Sequence, residues 1–326
     1  MDNVSPLSVA GALRGLEIFR PLTEEQLQTL SAIVRRERFA RGQQLYDQGE
    51  ASSGFMVVGA GQVEARRQTP FGDQRVASLG PGDLVGEISV VDGKPRSSTV
   101  VAIESGHVWR FDSADLSKKL ASDPKLELAL LGIFCRTLAG KIRQANHVMS
   151  QIMAPGEKAP KTLSQKDTGS VGELDVSVKR ALIEEQGVAS DEMKRLADFS
   201  TVHCFASGDI IFSEGDPCDS LYIIAEGNVR ISRRIPTLGE EALAIFQRGE
   251  VFGEMAWIDR EPRSADAIAH TGGCTVLAIS REQLDGSIDH DAATHARFLK
   301  TLSAILCRRL RHMNDQLVAY RTMVWF

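Results

Sequence analysis

The sequence predicts a mainly β protein with flanking helices, built as two tandem jelly-roll-like β-rolls, each followed by a long C-terminal helix. Three observations carry this expectation. Short apolar segments punctuated by glycine occur in two blocks, the pattern of a β-roll or barrel. The second block repeats the first at a nearly fixed offset, which marks a duplicated unit. Each block then runs into a stretch with sustained helical spacing of apolar residues.

The bulk properties bound the possibilities. At 326 residues the chain exceeds one ordinary core and suits two domains of about 150 residues each. A composition of 43% hydrophobic and 25% charged residues belongs to a globular chain rather than a disordered one. No apolar run reaches the roughly 18 residues of a membrane span, and Met1-Asp2-Asn3-Val4 lacks the basic start of a signal peptide. A cytoplasmic protein with no membrane partner is expected. Cys135, Cys204, Cys218, Cys274 and Cys307 form no Cys-x-x-Cys pair and read as buried small hydrophobes, not as a zinc or disulfide framework. Residues 1–152 carry 18 Lys/Arg against 17 Asp/Glu, and residues 176–326 carry 17 against 22. Neither half has the basic excess that neutralises phosphates, which argues against nucleic acid as a partner.

In chain order, residues 8–36 read as a helical lead-in, with Thr23 and Gln26 at capping-box spacing. Arg35-Arg36-Glu37 is placed on that lead-in as solvated charge. From Phe39 the period changes to short strands, Gln43–Tyr46, Phe55–Val58, Val63–Arg66 and Val76–Leu79, and the β pattern continues through Val108–Phe111. Asp112 or Ser113 can cap a short helix, and a second helix begins near Asp123. In it Leu131, Cys135, Leu138, Ile142, Ala145, Met149 and Ile152 form a heptad seam. Two uses suit such a seam, a homodimer contact or packing on the helix's own roll, and the length favours the homodimer. Residues 153–175 contain Pro155, Gly156 and Pro160 with little to bury and read as a linker. It separates domain 1, residues 1–152, from domain 2, residues 176–326. A second lead-in (residues 176–199) precedes strands restarting at Phe205, and Leu299, Leu302, Leu306, Leu310, Met313, Leu317, Tyr320 and Val324 form the second seam.

The repeat can be counted. Gly42, Gly49 and Gly61 pair with Gly208, Gly215 and Gly227 at an offset of 166, while Gly86, Glu87 and Arg96 pair with Gly253, Glu254 and Arg263 at 167. One inserted residue explains the step. The most alike segments are Gly86-Glu87-Ile88-Ser89 with Pro95-Arg96-Ser97, and Gly253-Glu254-Met255-Ala256 with Pro262-Arg263-Ser264. A helix start presents N–H groups that favour anions, and an arginine fork makes such a place selective for phosphate or carboxylate. A carboxylate beside it needs its own partner, and a sugar hydroxyl suits. A Glu–Arg salt bridge inside a site without ligand suits the same two residues.

The Gly-Glu to Pro-Arg loop in a glycine-punctuated roll, preceded by Leu16-Glu17-Ile18-Phe19 and followed by a long helix, resembles the cyclic nucleotide-binding domain family, twice over. The spacing is similar to that of protein kinase regulatory subunits. The resemblance implies that Glu87 and Glu254 bond a ribose 2′-hydroxyl. It implies that Arg96 and Arg263 hold the cyclic phosphate, with help from Ser97, Ser264 and N–H groups near Ser89 and Ala256. Gly86, Ile88, Gly253 and Met255 complete the loops. Ser89 stands where the family often has Ala, and Asp266 stands where the first copy has Thr99, bringing a second acid close in sequence to Arg263.

No His-x-His, Gly-x-Ser-x-Gly, phosphate loop or dinucleotide fingerprint appears, so no enzyme activity, cofactor or metal is expected. No helix-turn-helix is expected after either long helix. The expected function is a non-enzymatic sensor of cAMP or cGMP that changes its C-terminal helices and its contacts with a homodimer mate or a protein effector. A ligand-free scaffold is the alternative. Trp257, Tyr320 and Trp325 are the candidates to cap a base.

Overall fold

The computed structural model describes residues 6–70, 72–153, 169–184, 200–218, 220–235, 239–283 and 292–323. By internal packing the chain divides into two compact units. One comprises the chain up to Ala145 together with the segment that begins at Ser303, and the other runs from Asn146 to Leu302.

In the first unit, helix α1 (Pro6–Arg14), a single 3₁₀ turn (Glu17–Phe19) and α2 (Glu24–Ser31) form the lead-in. Thr23 caps α2 reciprocally: the Gln26 amide donates to Thr23 Oγ1 at 3.3 Å, and the Thr23 amide donates to Gln26 Oε1 at 2.9 Å. There follow β1 (Val34–Phe39), β2 (Gln44–Tyr46), β3 (Gly54–Ala60), β4 (Val63–Arg67), β5 (Gln74–Leu79), β6 (Leu84–Val85), the short helix α3 (Glu87–Asp92), β7 (Thr99–Ala102) and β8 (Gly106–Asp112). The strands make two four-stranded antiparallel sheets, in the orders β1-β8-β3-β6 and β2-β7-β4-β5. Alternation puts Met56, Val58, Val63, Val85, Val100 and Val108 into the space between them. The other face of the first sheet carries Phe55 and Phe111, stacked at 4.7 Å and covered by Phe19 and Phe134.

The expected helix over residues 8–36 needs correction, because Val34–Arg36 is strand. β1 pairs with β8, Val34 opposite Phe111, so Arg35-Arg36-Glu37 lies on a strand, not on a helix. Four consecutive exposed charged residues, Arg35 to Arg38, hide the alternation by which a half-buried strand is recognised.

After β8, α4 (Ser113–Ser122) leads to α5 (Pro124–Met153), where Asp123 Oδ1 accepts from the Leu126 amide at 2.9 Å and so caps its start. The second unit contains β9 (Ser170–Gly172), α6 (Val176–Glu184), β10 (Thr201–Phe205), β11 (Ile210–Phe212), β12 (Ser220–Ile235), β13 (Gly239–Phe246), β14 (Val251–Phe252), the short helix α7 (Glu254–Asp259) and β15 (Asp266–Ser280). Part of the stretch read as linker is therefore strand, since β9 pairs antiparallel with β10. Residues 154–168 of that stretch, and residues 185–199 of the second lead-in, lie outside the described residues.

The second roll repeats the first with two strands fused. β12 spans the positions of β3 and β4, and β15 those of β7 and β8, with register shifts where the sheet turns its corner. Gly61 and Gly227 stand at that corner with φ of 81° and 73°. A Cβ on either would lie within 2.6 Å of Ser105 O or 2.2 Å of Gly273 O, so only glycine fits. The final element is α8 (Ala292–Met323).

Most of both heptad seams is buried within the single chain, while Ile152 and Tyr320 are half-buried. Leu131, Cys135, Leu138, Ile142, Ala145 and Met149 are at most 8% exposed, and Leu299, Leu302, Leu306, Leu310, Met313 and Leu317 at most 9%; Val324 lies outside the described residues. Most of each stripe expected to join two copies is thus covered within one chain, which favours internal packing over a homodimer contact. Among the described residues, no helix is long and apolar enough to cross a membrane.

Candidate functional site

Each repeated loop begins at a left-handed glycine. Gly86 (φ 83°) and Gly253 (φ 77°) precede α3 and α7 as their N-caps. Glu87, Ile88 and Ser89 are buried on α3, as are Glu254, Met255 and Ala256 on α7. The loop returns through Pro95 or Pro262 and delivers Arg96 or Arg263 into the interior, where they are 5% and 3% exposed. Ser97 and Ser264 beside them are half-buried.

The arginines are held by backbone carbonyls. Arg96 Nη1 donates to Gly86 O and Nη2 to Gly54 O, both at 2.8 Å. Arg263 Nη1 donates to Gly253 O at 2.8 Å and Nη2 to Ser220 O at 2.6 Å. Each guanidinium also stacks on an aromatic ring, Arg96 over Tyr46 at 4.3 Å and Arg263 over Phe212 at 4.2 Å. Strand ends clip the arginine backbones as well: Gly49 N to Arg96 O, Arg96 N to Glu50 O, Gly215 N to Arg263 O and Arg263 N to Asp216 O are all 2.9 Å. Tyr46 and Phe212, and Gly54 and Ser220, are again 166 apart. Side-chain motifs did not reveal the carbonyls, but the aromatic pair was visible in the repeat.

In the first roll the two carbonyl bonds occupy two of the five N–H donors of Arg96. Arg96 Nε is buried and has no hydrogen-bond partner among the described residues. Burial pushes the Arg96 pKa below its ordinary value, opposed by Tyr46, Glu50 and Glu87. Burial, followed by the Glu87 charge, raises that of Tyr46. A desolvated guanidinium is stabilised by an anion beside it.

Glu87 is 1% exposed and pairs with Lys141 of α5, whose Nζ donates to Glu87 Oε1 at 2.7 Å and to Leu84 O at 2.8 Å. Its other oxygen, Oε2, is buried with no hydrogen-bond partner among the described residues. The Glu–Arg salt bridge considered for a ligand-free site is absent from this loop: among the described residues Glu87 pairs with Lys141, and Arg96 binds carbonyls. No sequence spacing marks Lys141, which lies 54 residues from Glu87, beside the apolar seam of α5.

The two departures in the loops have structural roles. Ser89 Oγ donates to Pro95 O at 3.2 Å, tying α3 to the residue before Arg96. Asp266 Oδ1 accepts from the Glu214 amide at 2.7 Å, as Thr99 Oγ1 accepts from the Gln48 amide at 3.0 Å. Both anchor the turn opposite the arginine. Trp257 is 9% exposed and meets Phe298 edge-on at 5.4 Å, so it packs as core. Tyr320 is half-buried, and Trp325 lies outside the described residues.

The family of the chain is given by a domain model. The model of the cyclic nucleotide-binding domain matches residues 36–123 and 202–291, together more than half of the chain. A cAMP-dependent protein kinase regulatory subunit of Hypocrea atroviridis is 24% identical over 268 residues, covering 79% of this chain and 47% of its own length. The cGMP-dependent protein kinase, isozyme 1, of Drosophila melanogaster is 23% identical over 277 residues, covering 84% of this chain and 30% of its own. The chain thus spans less than half the length of these two curated relatives. A solved structure of the regulatory domain of Toxoplasma gondii PKA with cAMP aligns with 92% of this chain and 96% of its own at 20% identity, with a TM-score of 0.33. On the double match of the family model, the chain belongs to the cyclic nucleotide-binding domain family and carries that domain twice.

Proposed function

We propose that the chain is a non-enzymatic sensor of a cyclic nucleotide, cAMP or cGMP. The observation that carries the reading is a pair of buried polar atoms in the first loop, Glu87 Oε2 and Arg96 Nε, that have no hydrogen-bond partner among the described residues. Buried polar atoms without partners are costly, and a ribose 2′-hydroxyl donating to the carboxylate and a phosphate accepting from the guanidinium satisfy both. Glu87 and Glu254 take the ribose. Arg96 and Arg263 take the cyclic phosphate, with Ser97, Ser264 and the amides near Ser89 and Ala256 as further donors. The common arginine cradle supports the same role in the second loop. Lys141 links the first clamp to α5, so nucleotide on Glu87 biases that helix and whatever effector reads it. Such a shift is limited to the difference in affinity between the two helix positions.

Calorimetric titration of cAMP and of cGMP into wild type, Arg96→Ala and Arg263→Ala tests this. Two binding events are expected in wild type and one in each variant. Wild type giving no heat with either nucleotide sinks the sensor and leaves the ligand-free scaffold.

A further inference from the structure

The segment of α8 from Ser303 onward belongs to the same compact unit as the first roll, and one of its stripes lies on the first clamp loop. Arg311 grips the carboxylate that ends α3: Nε donates to Asp92 Oδ2 at 2.7 Å and Nη2 to Asp92 Oδ1 at 3.0 Å. Nη2 also donates to Pro95 O at 3.0 Å, the carbonyl that accepts from Ser89 Oγ. One turn before, Cys307 Sγ donates to Ile88 O at 3.7 Å. One turn after, Asp315 pairs with Arg67 at 2.6 Å. Residues 307, 311 and 315 step by four and share one helix face.

The turn they meet is held from within the roll by Ser89 Oγ on Pro95 O and by the Lys94 amide on Asp92 Oδ1 at 3.0 Å, and Arg311 adds a clasp from outside it. Gly93, Lys94 and Pro95 are exposed, yet this turn delivers Arg96 into its buried cradle. Arg311 fastens both of its ends, Asp92 at the start and Pro95 immediately before Arg96. A two-toothed guanidinium–carboxylate contact fixes direction as well as distance.

We propose that Arg311 is the positioning residue of the first clamp, holding the α3–Arg96 turn in its binding geometry from a helix that sequence reasoning assigned wholly to the second domain. The proposal rests on reading that clamp as a nucleotide site. A loop ordered in advance lowers the cost of ordering on binding. By reciprocity, nucleotide in the first clamp must tighten the hold of α8 on it.

The test uses the full chain carrying Arg263→Ala, so that the first clamp alone is titrated. With cAMP or cGMP, Arg311→Ala and Asp92→Asn are each expected to weaken binding about 10-fold, within the usual range of site coupling, and Arg311→Lys less. The exchanged pair Asp92→Arg with Arg311→Asp is expected to recover part of the loss. Nucleotide is expected to slow amide hydrogen exchange over residues 303–323 when Arg311 is present and to leave it unchanged in Arg311→Ala. Unchanged or tighter binding by both Arg311→Ala and Asp92→Asn overturns the positioning role while leaving the clamp intact. No binding with Arg311 in place overturns the clamp reading and this proposal together.

Discussion

At the residue scale, the arginine of each loop is a structural part before it is a ligand-binding one. Arg96 satisfies the Gly54 and Gly86 carbonyls, so Arg96→Ala removes their donors. The Gly54 carbonyl is buried, and left without a donor it costs about 1–3 kcal/mol. Urea denaturation of Arg96→Ala is therefore expected to show a lower midpoint as well as lost binding at the first clamp, whereas a purely ligand-binding arginine would leave the midpoint unmoved. Gly86→Ala tests the cradle from the other side. A Cβ there would lie 2.3 Å from Arg96 Nη1 on a backbone with φ of 83°, so the guanidinium must leave its carbonyl. The expected outcome is a titration with one nucleotide bound per chain instead of two. The glycine, the glutamate and the arginine were legible because each is a side-chain type repeated at a fixed offset. The carbonyls of Gly54 and Ser220 were not, because a main-chain acceptor leaves no mark on residue type.

At the element scale, α5 is joined to the clamp by the ion pair between buried Glu87 and half-buried Lys141. Breaking a buried pair from one side leaves an uncompensated charge, at a cost of roughly 3–5 kcal/mol. Lys141→Met is accordingly expected to lower stability by about 3 kcal/mol, and adding Glu87→Gln to restore most of it. Nucleotide affinity should not return with the stability, because Glu87→Gln also removes the carboxylate that takes the ribose hydroxyl. Thermal melts and calorimetry on the single and double variants separate the two effects, and recovery of both together would assign Glu87 a packing role alone. Elements with local signals were read well: the Thr23 capping box, the glycine-bounded strands and the start of α5 at Asp123. Elements defined by distant pairing were not. β1 is a strand because β8 lies beside it, and its charged run gave no period of its own.

At the scale of the whole molecule, the fate of the two heptad stripes decides how the chain assembles. A stripe with a repeat of three and four residues has the same sequence whether it meets another copy or its own chain, so spacing could not choose between the homodimer and internal packing. Burial separates them, because Leu138, Leu306 and Leu317 are at most 1% exposed in a single chain. Pairing two copies through these residues would first require exposing them, at about 25 cal/mol for each Å² of apolar surface uncovered. The chain is expected to be a monomer, and light scattering should return 35.6 kDa both with and without nucleotide. A mass near twice that value, lost on replacing Leu306 or Leu317 by a charged residue with the fold preserved, would show that the stripes open to bind a second copy. A nucleotide-induced rise in mass insensitive to those changes would place the contact on another face.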